Sequence, residues 1–276
     1  MRKIPCEPSV GADVEWLLYD MEKEEPVVAC GLVGGTKEKP LSLGDGYFVQ
    51  EDNVMVEWNI PPAVDRWQDF NRYCEEAIFR VKGHVQKELG PKYTIMPFPE
   101  YEFEEELLQT PQARTFGCEP DNDAYLGGQQ RPDGAVGVLG NTRSCGGHIH
   151  VGGDFKCPDF VAALFVELAM VVFARSIPAN ITKRSKWYGQ PGIFRSKPYG
   201  IEYRSPDAMW SRSQQRRDIV GIYAMKTAQW LTETPADQLQ KTFRQMPWTE
   251  VRKCALGEHV SRNALCAIAA EAGFTI

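Results

Sequence analysis

The run Gly146-Gly147-His148-Ile149-His150-Val151-Gly152-Gly153 constrains this chain more than any other segment. A strand sends successive side chains to opposite faces, so the two imidazoles point together while Ile149 and Val151 face a core. The same spacing recurs in Asp13-Val14-Glu15-Trp16, in Val56-Glu57-Trp58-Asn59-Ile60 and in Ile201-Glu202-Tyr203-Arg204. Each run keeps one face apolar and places acids, imidazoles, an amide or a guanidinium on the other. That is the pattern of a half-buried antiparallel sheet with a chemically active open face. A merely solvated face would carry Lys, Thr, Ser and Gln; these runs carry the residue types that ligate metals and grip phosphate.

The rest of the chain supplies the backing. Apolar positions step by three or four from Val64 to Leu89, which predicts an amphipathic helix closed by Gly90-Pro91. Further helices are expected at Pro158–Ser176, Ser211–Leu231, Pro235–Phe243 and Ser261–Glu271. Strands are expected at Val10–Tyr19, at Asn53–Ile60 before Pro61-Pro62, and at Tyr93–Phe103. Residues 117–140, rich in Gly, Asp and Asn, read as a long loop, and residues 183–197 as a cationic loop. The order and mixture predict an α+β fold, with a mainly antiparallel sheet rather than a doubly wound one. The 276 residues read as a single domain with C-terminal helices from about residue 211.

Bulk properties exclude several functions. A net charge of -6 argues against nucleic acid held by a broad positive surface. Cations are instead concentrated between Lys183 and Arg217, a pattern suited to a small polyanion such as a nucleotide. The eight cysteines form no C-x-x-C pair, so free thiols and a cytoplasmic location are expected. No apolar run follows Met1-Arg2-Lys3, and Phe160–Ala174 is too short for a membrane span, so neither secretion nor membrane insertion is expected.

Of the four histidines only His148 and His150 share a strand with the right spacing, while carboxylates abound. Zinc prefers imidazole and thiolate, whereas magnesium and manganese take carboxylate oxygens, so Asp13, Glu15, Glu57 and Glu202 with one ring nitrogen favour the harder ions. Two ions held there would bridge the terminal phosphates of a nucleotide. Arg204, on the same face as Glu202, would meet the transferring phosphoryl group. There is no P-loop, no G-x-G-x-x-G after a strand and no G-x-S-x-G elbow, so any use of ATP rests on another scaffold.

The ordered set Gly11-x-Asp13-x-Glu15, Val56-Glu57-x-Asn59-x-Pro61, Gly147-His148-x-His150-x-Gly152 and Gly200-Ile-Glu202-Tyr-Arg204-Ser205 resembles the carboxylate-amine ligases of the glutamine synthetase and glutamate-cysteine ligase superfamily. More closely, Gly117-Cys118-Glu119-Pro120-Asp121, Arg143-Ser-Cys-Gly-Gly-His148 and Arg195-Ser-Lys197-Pro198-Tyr199-Gly200 are similar to the phage-encoded type 2 COOH.NH2 ligases. The resemblance covers about residues 9 to 210. It implies a curved antiparallel sheet backed by helices, with ATP and two or more magnesium (or manganese) ions on the concave face, and a host-cytoplasm location if the gene is a phage's.

By the same resemblance, the metal ligands are Asp13, Glu15, Glu57, His148, Glu202 and one acid preceding Glu57. Asp13 stands where the family has Glu. Glu51 and Asp52 both offer themselves as the preceding acid, and Asp52 is favoured. Arg204, Glu57 and His150 are the expected catalytic residues. Arg195, Lys197, Arg184 and Arg204 would hold the nucleotide's phosphates; Trp187, Tyr188 and Tyr199 are candidates to stack on adenine. Arg143, Glu119, Asp121 and Asn59 are candidates to bind the substrates.

The implied reaction activates a carboxylate as an acyl phosphate, which an amine displaces to give an amide. The substrates would be small-molecule or peptide carboxylates and amines: an amino acid, a peptide, or a cell-wall or protein-derived group. Two rival readings are a metal-dependent amide hydrolase using His148 and His150, and an inactive phage binding protein of the same fold. The sequence says nothing of oligomeric state.

Overall fold

The computed structural model describes residues 6–114, 121–130, 140–175 and 189–276. Fourteen strands run in chain order among them. They are β1 (Ser9–Asp20), β2 (Glu25–Val27), β3 (Leu41–Gly44), β4 (Tyr47–Asp52), β5 (Met55–Asn59), β6 (Ala63–Val64) and β7 (Tyr93–Met96), followed by β8 (Glu100–Glu102), β9 (Asn122–Asp123), β10 (Gln129–Gln130), β11 (Thr142–Ser144), β12 (Gly147–Gly152), β13 (Ile193–Lys197) and β14 (Gly200–Tyr203). The principal path of the main sheet is β10-β9-β13-β14-β12-β1-β5-β4-β3, with β2, β6 and β7 also paired to the long β1; β8 and β11 form a separate ribbon. Every one of these pairings is antiparallel. Five of the helices follow the expected pattern: α1 (Trp67–Leu89), α3 (Asp159–Leu168), α4 (Gln214–Glu233), α5 (Ala236–Gln245) and α7 (Arg262–Glu271), with a single turn α2 (Pro111–Arg114) between the first two. A further helix, α6 (Trp248–Ala255), was not expected and lies between α5 and α7. The fold is α+β, a mainly antiparallel sheet backed by helices.

Alternation divides the sheet into two faces. Val10, Ala12, Val14 and Trp16 of β1, Val56 and Trp58 of β5, Ile149 and Val151 of β12, and Ile201 and Tyr203 of β14 are buried in one core with α1, α3 and α4. Phe70 of α1 stacks on Trp210 at 5.6 Å between centroids. Three of the core indoles find a partner, Trp16 Nε1 donating to Ser211 Oγ (2.9 Å), Trp210 Nε1 to the Gly147 carbonyl (2.9 Å) and Trp230 Nε1 to the Gly273 carbonyl (3.1 Å), whereas the buried Trp58 Nε1 has none among the described residues. The last helices join this core through rings, with Phe165 of α3 at 4.8 Å from Trp230, 5.2 Å from Phe274 and 5.3 Å from Trp248.

Several expectations need correction. The strand expected at Asn53–Ile60 is the shorter β5: Asn53, at φ 55°, is in the left-handed region and turns the unforeseen β4 into it. Asn tolerates that conformation better than other non-glycine residues. The span Tyr93–Phe103 divides into β7 and β8. Arg195 and Lys197 sit on β13 rather than in a loop, with Arg195 paired to Glu202 and Lys197 to Gly200. The cationic stretch is not one surface either. Arg217 is buried, its guanidinium tying α4 to α1 through Asn71 Oδ1 (2.8 Å), Glu75 Oε1 (2.8 Å) and the Ser211 carbonyl (3.0 Å).

Candidate active site

Register places the expected residues in rows across the open face. One row runs Gln50–Glu57–Glu15 through the pairs of β4, β5 and β1. The next runs Asn59–Asp13–His148, and a third runs Gly11–His150–Glu202–Arg195. Two groups of ligand atoms result, each within 4.8 Å of one another: Glu15, Asp52 and Glu57 in one, Asp13, His150 and Glu202 in the other. Asp13, which stands where the resembled family has Glu, lies between them as a hub. Its Oδ1 is 2.8 Å from His148 Nδ1 and its Oδ2 is 3.1 Å from His150 Nε2. The outer nitrogen of His150, Nδ1, meets the Tyr199 hydroxyl, and the two rings stack at 6.0 Å.

His148 is 3 % exposed, and its Nε2 has no hydrogen-bond partner among the described residues. A proton on Nδ1 shared with Asp13 leaves the Nε2 lone pair outward, which is the carboxylate–histidine arrangement that presents an imidazole to a metal. The backbone makes room for it. A Cβ added at Gly146 would lie 2.6 Å from His148 Nε2 and 3.1 Å from Glu15 Oε2, so only glycine leaves this edge of the ring open. The Gly146 amide is itself held by the Glu15 carboxylate.

The charges are arranged unevenly. Burial and then the nearby charges of Asp13, Asp52 and Glu15 push the Glu57 carboxyl well above its usual range, against a 2.9 Å hydrogen bond from Gln50. Burial likewise raises Asp52, although Lys37 and Arg204 pull it down. Burial acts on Asp13 too, but His150 and His148 outweigh it and hold that carboxyl well below the usual range. For Glu202, burial and the Asp13 charge are overcome by Arg204, His148 and His150, which hold it down to about 2. Burial lowers His150, and Asp13 more than restores it, leaving the imidazole raised. Asp52 and Glu57 are thus raised by burial and by neighbouring acids beside Glu15, a crowding that a divalent cation would relieve.

Cationic side chains surround Glu202. Arg204 pairs with it directly, Lys197 Nζ is 2.6 Å and Arg195 NH1 3.9 Å away. Asp121 Oδ1 bridges the two guanidinium groups, 3.1 Å from Arg195 Nε and 3.1 Å from Arg204 Nε. Arg204 NH1 also comes within 3.1 Å of His148 Nδ1.

One open choice falls as favoured and one expectation does not hold. Glu51 is occupied structurally: its oxygens accept from the amides of Gly31 (2.7 Å), Val33 (2.8 Å) and Gly34 (2.8 Å) and from Gln112 (2.9 Å). Asp52, not Glu51, therefore faces Glu57. Arg143 does not join the site. It is 3 % exposed, and its guanidinium is bound by Asn53 Oδ1 (2.9 Å) and the carbonyls of Gly140, Thr142 and Ala113 (2.9, 3.0 and 2.9 Å). A buried guanidinium committed to fastening three loops is a poor receptor for a substrate carboxylate, so the expected substrate contact is corrected to a structural clamp. Glu119, Arg184, Trp187 and Tyr188 lie outside the described residues. Gln50 was missed because β4 was not anticipated, although Gln50 and Asp52 are spaced by two after the run Tyr47-Phe48-Val49.

A mainly antiparallel sheet whose open face gathers carboxylates and imidazoles beside paired guanidinium groups offers donors of the kinds that suit divalent ions and phosphate. Over residues 135–265 the chain matches the family model described as Phage phiEco32-like COOH.NH2 ligase-type 2. The family read from the motifs is thus matched across the strand of His148 and His150 and the strand of Glu202 and Arg204. No curated protein matches the chain significantly. Among solved structures it is similar to a bifunctional glutathione synthetase from Pasteurella multocida, at 14% identity and TM-score 0.35 over 96% of this chain and 46% of that one. The chain thus spans about half the length of that protein.

Proposed function

We propose that the protein is an ATP-dependent carboxylate–amine ligase that forms an amide or peptide bond through an acyl phosphate. The observation that carries this reading is the convergence of two candidate metal-binding triads and Arg204 on one open face, with His150, Glu202 and Arg204 inside the stretch that matches a carboxylate-amine ligase family. Direct condensation of a carboxylate with an ammonium ion is uphill in water. In the proposed first step a carboxylate oxygen of the substrate takes the γ-phosphoryl group and the bond to ADP breaks, with ADP leaving on its electron pair. In the second, the amine nitrogen forms the C–N bond, the C–O bond to phosphate breaks, and phosphate and a proton depart.

Magnesium or manganese, when bound, would neutralise and align the phosphates. Glu15, Asp52 and Glu57 would hold one such ion through oxygen donors. Asp13, His150 and Glu202 would hold a second, while the His148 Nε2 lone pair opens on the Glu15 side of the face. Arg204, fixed between Glu202 and Asp121, presents a preorganised cation where charge builds on the transferring phosphoryl group. Arg195 and Lys197 would hold the remaining phosphate charge, and Asn59 would contact a substrate.

Incubating the purified protein with ATP, magnesium and a panel of amino acids and peptides tests the reading. ADP release that requires both a carboxylate and an amine is expected. Amide cleavage without nucleotide, abolished by chelating stoichiometric zinc, would establish the hydrolase instead.

A further inference from the structure

Beside the metal-binding residues the open face has a hollow of about 390 Å³. The sequence explains why it is there. On the rows beyond Asp13, the side chains that would cover the sheet are missing or minimal: Gly11 and Ser9 on β1, Gly152 on β12 and Gly200 on β14, with Ser9 paired to Gly152 and Gly152 to Gly200. A Cβ on Gly152 would meet the Ser9 hydroxyl, so glycine leaves that part of the floor to one small side chain. Ile60, Pro62 and Val64 form an apolar wall, and His150 and Tyr199 stand at the end nearest Asp13.

The polar character of this hollow is one-sided. Among the described residues its lining includes Glu7 but no Lys or Arg, and its imidazole is already paired with Asp13. The side-chain oxygen of Asn59, which lines it, is buried and accepts no hydrogen bond among the described residues. An orphan acceptor and nearby carboxylates suit a donor-rich cation and disfavour an anion. The cations that would suit phosphate or carboxylate, Arg195, Lys197 and Arg204, gather around Glu202 instead.

We infer that this hollow receives the amine substrate, and that the amine is a primary ammonium carried on an aliphatic or aromatic body of amino-acid size. The volume lies at the lower end of the range of about 300–1,000 Å³ usual for ligand pockets, room for one such body rather than an extended peptide. Its apolar wall buries the body while Asn59 Oδ1 and the carboxylates receive the N–H donors. The assignment of the bound amine as the nucleophile rests on the ligase reading; the binding preference does not.

Calorimetric titration with phenylalaninamide, 3-phenylpropionate and adenosine tests it, alongside Mg-ATP titration and ADP release. Phenylalaninamide is expected to bind, and the two others not to compete with it. Gly11→Val adds a side chain to the floor, where a Cβ would sit 3.5 Å from His150 Cβ, an ordinary contact on an extended strand. It should weaken phenylalaninamide by about tenfold or more, as expected for filling an apolar pocket, and leave Mg-ATP affinity intact.

Should Gly11→Val fail to fold, Val64 provides an independent arm, because at 42 % exposure it tolerates a polar replacement. Val64→Lys should weaken phenylalaninamide several-fold and Val64→Glu should not. The opposite order, or displacement of the amide by 3-phenylpropionate or adenosine, overturns the inference. Amine binding lost in Gly11→Val but without ADP release under any pairing would remove the ligase reading while leaving the pocket's preference standing. ADP release with no saturable amine binding would do the reverse.

Discussion

Glu167, on α3 behind the sheet, offers a test of how the back of the molecule holds the strand that carries Glu202 and Arg204. Its side chain is fully buried and accepts from the hydroxyls of Tyr125 (2.9 Å), Tyr203 (3.0 Å) and Ser205 (3.5 Å) and from the Gly192 amide. Burial raises its carboxyl from 4.5 to about 7, although the Gly192 amide and the two tyrosines oppose the rise. A carboxyl whose pKa is higher in the folded state binds a proton on folding. Its contribution is complete below the unfolded value and is lost as the pH climbs from about 4.5 through about 7. At about 1.4 kcal/mol per unit, a window of roughly 2.5 units is worth about 3 kcal/mol, most of it between pH 5 and 8.

In a chain of this size that corresponds to roughly 5–10 °C in Tm, scaling from smaller domains. Glu167→Gln keeps the shape and removes the titration. Melting both proteins from pH 5 to pH 8 should show the wild type losing ground to the variant as the pH rises, with the curves parallel above about pH 8. A Tm difference that does not change with pH would refute the reasoning and mean that the four donors keep Glu167 ionised throughout.

Glu57→Gln should raise the Tm of the metal-free protein by a few degrees, because it relieves crowding among Glu15, Asp52 and Asp13, yet abolish nucleotide turnover and diminish the stabilisation by magnesium; thermal melts with and without magnesium read both signs. Arg204→Lys should lower kcat by about a hundredfold or more with the fold intact, since an ammonium cannot span Glu202 and Asp121 together, and near-wild-type turnover would dismiss the phosphoryl role. Asp13→Asn should weaken divalent-ion binding by about tenfold to a hundredfold in calorimetric titration, because the carboxylate that meets both His148 Nδ1 and His150 Nε2 changes character. Glu51→Gln should cost about 3 kcal/mol through weakened charge-assisted bonds to three backbone amides while leaving magnesium binding unchanged; loss of that binding would make Glu51 rather than Asp52 the ligand.

What could be read from the sequence was whatever the period-two alternation carries. Asp13, Glu15, Glu57, His148, His150 and Glu202 were legible as one open face because each shares a strand with buried apolar neighbours at odd spacing. Alternation does not reveal which strands are neighbours. That Asp13 stands opposite His148, and His150 opposite Glu202, is a fact of pairing between segments more than fifty residues apart. The roles that went astray were those set by such distant partners. Arg143 read as a substrate contact and Arg217 as part of a cationic surface until the acceptors that bury them were seen. Glu51 and Asp52, adjacent in sequence, point to opposite faces of β4, so one closes the Gly31–Gly34 turn and the other meets Glu57. Strand register therefore decides which acid is structural and which is available to a cation. A one-residue slip of β4 would exchange the two, which makes the Asn53 turn and its Arg143 clamp part of the machinery that fixes the site.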